Sequence, residues 1–212
     1  LKVIRARLGE RKCVERKVDL GSGEFEVSEV DRFRHLQFAG GFEDLETDGK
    51  ELLQTYGPRF QLFIIGAVNV SQYLAQMAQM LDYHVLVCDP REEMIEQWSV
   101  EGVQLVNDMP DDAVKAYADD SATAIVALTH DPRIDDMGLM EALKTDAFFV
   151  GAIGSTRTSA KRRERLRVLD LTDAEIDRLH GPVGLSIGSK TPAEIAIAIL
   201  AQLTELRSKV AV

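Results

Sequence analysis

The stretch Leu62-Phe-Ile-Ile-Gly66-Ala-Val68-Asn-Val-Ser71-Gln72 decides the fold. Leu62 to Ile65 is a continuous apolar run, the mark of a strand covered on both faces. Gly66 turns the chain, after which Val70, Leu74, Met77, Ala78 and Leu81 recur at helical spacing and would face a sheet. Strand, glycine turn and helix open a Rossmann unit, whose usual fingerprint is G-x-G-x-x-G/A. Here Gly66 is the tight-turn glycine, but Val68 occupies the close-approach position and Ser71 the packing position. A side chain at Val68 stands where pyrophosphate oxygens would come near the main chain. The fold signal is good; the ordinary NAD signal is damaged.

Downstream, strands and helices alternate, the pattern of a parallel α/β sheet. Strands are expected at His84–Cys88, Val103–Val106, Ala122–Leu128 and Ala147–Val150. Helices are expected at Glu92–Ser99, Pro110–Tyr117, Ile134–Leu143 and Thr156–Leu169, the last capped by Ser155. Thr172 and Glu175 form a capping box for a helix to Leu179, and Thr191 and Glu194 form another, with Pro192 at the first helical position. The final helix carries Ile195, Ile199, Leu203 and Leu206 on one stripe, apolar positions that suit a homodimer. The fold class is therefore α/β: a doubly wound, mostly parallel Rossmann-like sheet over residues 58–212.

Upstream the rhythm differs. Lys2–Leu8, Lys12–Leu20 and Phe25–Val30 contain β-branched residues separated by glycine turns, which predicts two or three antiparallel strands. Arg32–Phe38 alternates again, and the acidic run from Glu43 to Glu51 reads as a linker or short helix. Residues 1–57 are expected to form a small β-rich module, divided from the rest near Gly57-Pro58.

Lys and Arg total 25 against 35 Asp and Glu, a net charge of −10 at pH 7, which argues against nucleic acid or an anionic membrane surface as a partner. No apolar run reaches the ~20 residues that span a bilayer, and no signal-peptide pattern opens the chain, so a cytoplasmic location is expected. Cys13 and Cys88 have no metal-ligand spacing, and no metal is assigned.

In an open doubly wound sheet, ligands bind beyond the carboxyl ends of the strands, where strand order reverses. Four such ends carry polar or glycine-rich sequence: Gly66–Ser71, Asp89–Arg91, Thr129–Asp131 and Gly151–Arg157. Asp89 follows Gly66 by 23 residues, close to the ~20 of a ribose-binding acid, although an Asp before Pro90 also simply starts a turn. His130 offers an imidazole that titrates near neutrality, or a structural hydrogen bond. Gly151 to Ser155 presents free N–H groups at a helix N-terminus, where an anion is favoured, and Arg157 can reach a phosphate; glycines also end strands for no further reason. The other cations of that helix, Lys161, Arg162, Arg163, Arg165 and Arg167, read as a solvated face.

Taken in order, Ile65-Gly-Ala-Val-Asn-Val-Ser-Gln72, Asp89-Pro-Arg91, Thr129-His-Asp-Pro132, Val150-Gly-Ala-Ile-Gly-Ser-Thr-Arg-Thr158 and His180-Gly-Pro-Val-Gly-Leu-Ser-Ile-Gly-Ser-Lys-Thr-Pro-Ala-Glu-Ile-Ala196 resemble the C-terminal domain of the XdhC/CoxI family, the xanthine dehydrogenase accessory proteins. The resemblance covers roughly residues 60 to 205. It implies a Rossmann-like domain in a protein that binds molybdenum cofactor (molybdopterin), helps its sulfuration, with a cysteine desulfurase as a possible further partner, and delivers it to xanthine dehydrogenase or a related molybdenum hydroxylase. Such proteins act as chaperones for a cofactor more than as turnover enzymes. This chain departs from the family pattern at Val68, where Gly is usual, at Asn69, where His is usual, and at Ser186, where Asp is usual. The family's N-terminal domain, with its glycine-rich cysteine motif, is not recognisable in residues 1–57, and Cys13 carries no role.

The expected binding residues are Gly66, Ala67, Val68, Asn69, Asp89, Arg91, Thr129, His130, Gly151, Ile153, Gly154, Ser155 and Arg157. In that expectation Asp89 holds hydroxyl or amine groups, the N–H groups of Gly154 and Ser155 hold phosphate, Arg157 assists, and no residue is catalytic. Two alternatives stand beside it. One is an NAD(P)-dependent oxidoreductase using the same rim with His130 as proton donor; the other is a degenerate Rossmann module for docking or dimerisation that binds no small molecule.

Overall fold

The structure, a computed structural model, describes residues 2–9, 12–30, 51–56 and 60–210. The chain separates into two compact units, residues 1–58 with 208–212, and residues 59–207.

The first unit holds helix α1 (Lys2–Gly9) and strands β1 (Cys13–Asp19), β2 (Phe25–Val30) and β3 (Glu51–Tyr56), paired antiparallel in the order β2-β1-β3. The first seven residues expected as a strand are thus a helix. Val3 and Ile4 are their only β-branched residues; Ile4 is buried and Leu8, four positions on, is half-buried, so the apolar positions fall on one helical face. β3 begins where an acidic linker or helix was expected to end. The alternation of Arg32–Phe38 and the run Glu43–Lys50 lie outside the described residues. At the β1–β2 turn, Asp19 accepts from the N–H groups of Gly21 and Ser22 at 2.8 and 2.7 Å, and those bonds hold its carboxyl below the usual range.

The second unit is a six-stranded sheet in which every neighbouring pair is parallel, in the order β6-β5-β4-β7-β8-β9. The strands are β4 (Gln61–Ile65), β5 (His84–Cys88), β6 (Gln104–Val106), β7 (Thr123–Ala127), β8 (Phe149–Ala152) and β9 (Leu179–His180). Between them lie α2 (Asn69–Met80), α3 (Glu92–Glu96), α4 (Pro110–Tyr117), α5 (Pro132–Ala142), α6 (Thr156–Val168) and α7 (Asp173–Asp177); α8 (Pro192–Val210) follows. Every residue of β4, β7 and β8 is buried, which is why these strands read as unbroken apolar runs. Strand order reverses between β4 and β7, so the first and fourth strands of the sheet flank the crevice expected to take ligands.

Local chemistry explains the helix ends. Asp131 caps α5 by accepting from Arg133 N–H, Ser155 caps α6 by accepting from Thr158 N–H, and Thr172 and Glu175 close a full capping box on α7. That helix stops at Asp177 because Leu179 and His180 join the sheet beside Val150 and Gly151, a strand too short to show a period in sequence. In α8, Ile199 and Leu203 are fully buried, so much of the apolar stripe lies inside the fold and Ile197, 47% exposed, is outside it. Among the described residues no helix is long and apolar enough to cross a membrane.

Candidate functional site

The turn after β4 is shaped by what approaches it. Gly66 has φ +109°, and a Cβ there would stand 2.7 Å from Thr129 Cγ2 and 3.0 Å from Thr129 N. The glycine thus lets the end of β7 close against the end of β4. Leu128 N–H donates to Ile65 O at 2.8 Å and fixes the same approach.

Val68 is the N-cap of α2, with extended backbone and no side-chain cap. The N–H just before it, that of Ala67, donates to Asp89 Oδ2 at 2.8 Å. Arg91 embraces the same carboxylate, Nη2 to Oδ2 at 2.8 Å and Nε to Oδ1 at 2.8 Å, and its own N–H reaches Oδ1 at 3.0 Å. Asp89 is 0% exposed. Burial pushes its pKa up, but the bonds from Arg91 and Ala67 outweigh it and the net shift is downward. Each carboxylate oxygen therefore already accepts twice. The residue expected to hold ligand hydroxyls instead ties the β5 end to the turn that leads into α2, and Arg91, half-buried, is what this loop turns outward.

At the end of β7, Thr129 is buried and His130 exposed. His130 has φ +63°, a left-handed conformation unusual for a side-chain-bearing residue. Thr129 donates from N and Oγ1 to Asp135 Oδ1 at 3.1 and 2.7 Å. Asp135 Oδ2 in turn meets Arg162 Nη2 at 2.8 Å; Arg162 Nε reaches Asp136 Oδ1 at 3.1 Å, and Nη1 reaches Ile153 O at 2.9 Å. Arg162 is 2% exposed, the largest fully buried side chain among the described residues, where a solvated basic face was expected. It fastens the ends of β7 and β8 together from beneath. Burial raises the pKa of Asp135 despite its partners.

The turn after β8 has a different character. Gly151 is inside the strand, not beyond it, and the space its Cβ would take holds the Phe149 ring and Val183 Cγ2, each at 2.6 Å. Ile153 is buried, Gly154 (φ +152°) half-buried, and Ser155 and Arg157 exposed. A segment not expected at the rim joins it here. Val183 N–H donates to Ala152 O at 3.0 Å, which lays the Gly181-Pro182 loop beside the β8 turn, and the His180 ring stacks on Phe149 at 4.6 Å. Burial lowers the His180 pKa.

Of the thirteen expected residues, Asn69, His130, Ser155 and Arg157 are exposed, Val68, Arg91 and Gly154 are half-buried, and the other six are buried supports. The positioning pair Asp135 and Arg162 and the Gly181 loop were not legible as site residues; charged side chains on helices carry no sign of their burial in a sequence. Cys88 is a free, buried thiol whose pKa burial pushes up to about 12, so it is inert as a nucleophile. Among the described residues, no group of three or more His, Cys, Asp or Glu side chains is placed to hold a metal.

Residues 62–203 match the family described as the XdhC Rossmann domain. The chain belongs to the XdhC family. This XdhC domain is 27% identical over 165 residues to the uncharacterized protein YqeB of Escherichia coli (strain K12), covering 74% of this chain and 29% of that protein. It is 30% identical over 88 residues to the molybdenum cofactor insertion chaperone PaoD of the same organism, covering 42% of this chain and 28% of PaoD. It is 26% identical over 161 residues to a probable xanthine dehydrogenase subunit of Bacillus subtilis (strain 168), covering 76% of this chain and 47% of that protein. The chain thus spans less than half the length of each of these relatives. A crystal structure described as a xanthine dehydrogenase from Bacillus halodurans shares the fold, with a TM-score of 0.74 and 23% identity over 98% of this chain and 63% of that one.

Proposed function

We propose that this protein is an accessory factor that binds molybdenum cofactor, as molybdopterin, on the rim at the β4–β7 switch point. It then assists the cofactor's sulfuration and its insertion into xanthine dehydrogenase or a related molybdenum hydroxylase, in the cytoplasm, with a cysteine desulfurase as sulfur source. Membership of the XdhC family and the resemblance to a cofactor-insertion chaperone support this reading.

The observation that carries it is the crevice itself. Strand order reverses between β4 and β7, where open α/β sheets bind their ligands, and the outward groups at the four strand ends are Val68 and Asn69, Arg91, His130, and Ser155 with Arg157. These supply one apolar surface, two cations and several hydrogen-bonding groups, a set suited to a flat, polar ring carrying an anionic group. Cys88 takes no part in sulfur transfer, since its thiol is buried and stays protonated.

Calorimetric titration of the purified chain with molybdopterin is the test, together with mass spectrometry of small molecules that copurify. Saturable binding, weakened by His130→Ala and Asn69→Ala, is the expected result; no heat at high micromolar molybdopterin removes the reading. A rise in thermal midpoint with NAD(H) or NADP(H) and not with molybdopterin would replace it with an oxidoreductase, because a ligand that binds only the folded state stabilises it.

A further inference from the structure

We propose that the ligand's phosphate is held between the Gly154–Arg157 turn and the Gly181-Pro182 loop, with the Ser159 hydroxyl at the back of the site, and that the α2 turn is closed to phosphate. The inference rests on the rim reading above and narrows it to one of two glycine turns.

The α2 turn already contains an anion. The buried Asp89 carboxylate stands 2.8 Å from Ala67 N–H, and its lowered pKa keeps it ionised at neutral pH. A phosphate brought to that turn would find the Ala67 N–H already taken, by a carboxylate that Arg91 neutralises, and would also meet the Val68 side chain.

Among the described residues, both helices leave first-turn N–H groups without a protein acceptor, those of Val68 to Ser71 at α2 included, but at α6 no carboxylate accepts from the turn. Among the described residues, the N–H groups of Gly154, Ser155, Thr156 and Arg157 find no acceptor; the cap bonds are made by Thr158 and Ser159, to Ser155 Oγ at 3.1 Å and Ser155 O at 2.8 Å. The first turn of this 13-residue helix has no acidic residue, and Arg157 there is exposed. Open N–H groups and the helix dipole together favour an anion at such an end.

Ser159 is the independent sign. Its side chain is 3% exposed and its Oγ has no partner among the described residues. The hydroxyl lies between two glycines: it is 3.9 Å from where a Cβ on Gly154 would stand and 3.2 Å from where a Cβ on Gly181 would stand. A buried hydroxyl without an acceptor calls for an explanation, and a phosphate oxygen held between the Gly154 turn and the Gly181 loop supplies one. A side chain on either glycine would crowd this corner, pressing on Ser159 from Gly181 and on Thr158 from Gly154. The ligand chemistry is a phosphate monoester, common to molybdopterin and to mononucleotides.

The experiment is a titration of the full chain with inorganic phosphate, followed by calorimetry and phosphorus NMR, on wild type, Arg157→Glu, Ser159→Ala and Val68→Gly. Phosphate is expected to bind wild type and Val68→Gly alike and to bind each of the other two about tenfold more weakly, the effect of losing one charge-assisted contact. Equal binding by all four proteins overturns the proposal, as does weakening by Val68→Gly alone. Arg157 is exposed, so its variant remains decisive even where Ser159→Ala folds poorly. Displacement of bound phosphate by molybdopterin or by CMP then identifies which source supplies the phosphate, and either supports the site. The two readings fail separately. Phosphate binding that depends on Arg157 and Ser159, without any binding of molybdopterin, leaves the site and removes the cofactor; molybdopterin binding untouched by both substitutions does the opposite.

Discussion

The β4–α2 and β8–α6 turns begin alike, with a glycine at positive φ leaving a buried strand and entering a helix on the same rim. Their chemistry diverges within three residues. At α2 the free N–H of Ala67 is satisfied from inside by Asp89, whose carboxylate is itself clamped by Arg91, and no side chain caps the helix. At α6 the Ser155 hydroxyl serves as the cap, and among the described residues no carboxylate accepts from the turn. A glycine turn at a helix start can thus have its N–H groups engaged by one of the protein's own carboxylates, as at Ala67.

The largest expected effect breaks the frame that holds the second turn. Arg162→Leu leaves Asp135 without its buried cation and releases Ile153 O, so we expect a loss of about 3–5 kcal/mol. Denaturant unfolding would measure it; a loss below about 1 kcal/mol would show that the network is incidental to the fold.

Gly66→Ala comes next. It places a methyl group 2.7 Å from Thr129 Cγ2 at a positive φ, with an expected cost of about 1–3 kcal/mol and a looser β4–β7 junction. A thermal midpoint equal to wild type would mean that the two strand ends are not held by this contact.

Asp89→Ala should cost about 1–3 kcal/mol by stranding the buried Ala67 N–H. It also changes the acid response. The Asp89 pKa is lowered in the folded state, so its contribution is present above the unfolded value near 3.9 and is lost as pH falls through the folded value. Asp131, held at about 2 by Arg133, has the same sign. Asp135, raised by burial, has the opposite sign: protonation in the window just above 3.9 favours the folded state. An Asp89→Asn variant should therefore show a shallower acid limb below pH ~4, and an unchanged limb would contradict the internal-anion view of the α2 turn.

Smallest is Ser155→Ala, expected to cost about 1 kcal/mol through loss of the α6 cap while leaving α2 untouched. Hydrogen exchange localised to the first turn of α6 is the fitting measurement, and protection lost equally at both helices would erase the distinction between the turns.

Much of the second unit is legible in sequence because burial on both faces leaves its central strands as continuous apolar runs, and because Ser155, Thr172 and Thr191 announce their helices by capping chemistry. Leu179–His180 is not, since two residues show no period, and Lys2–Gly9 reads as a strand on Val3-Ile4 until the Ile4–Leu8 spacing is weighed. At the site, sequence places four strand ends on one rim but does not assign directions to polar side chains. Asp89 points into the fold, Gly151 lies within its strand, and Arg162 is buried while its neighbours on α6 are not.

Sequence alone determined the order of strands β4 to β8 and of the helices between them, the glycine at Gly66 and the family resemblance, because these follow from local periodicity, turn chemistry and motif. Tertiary structure decided which glycine turn receives one of the protein's own carboxylates. That depended on where the Asp89 and Arg162 side chains found partners, at distances of 22 and 27 residues along the chain in the bonds to Ala67 and Asp135. Long-range pairing of buried charge is set by the packed sheet, and no local pattern encodes it.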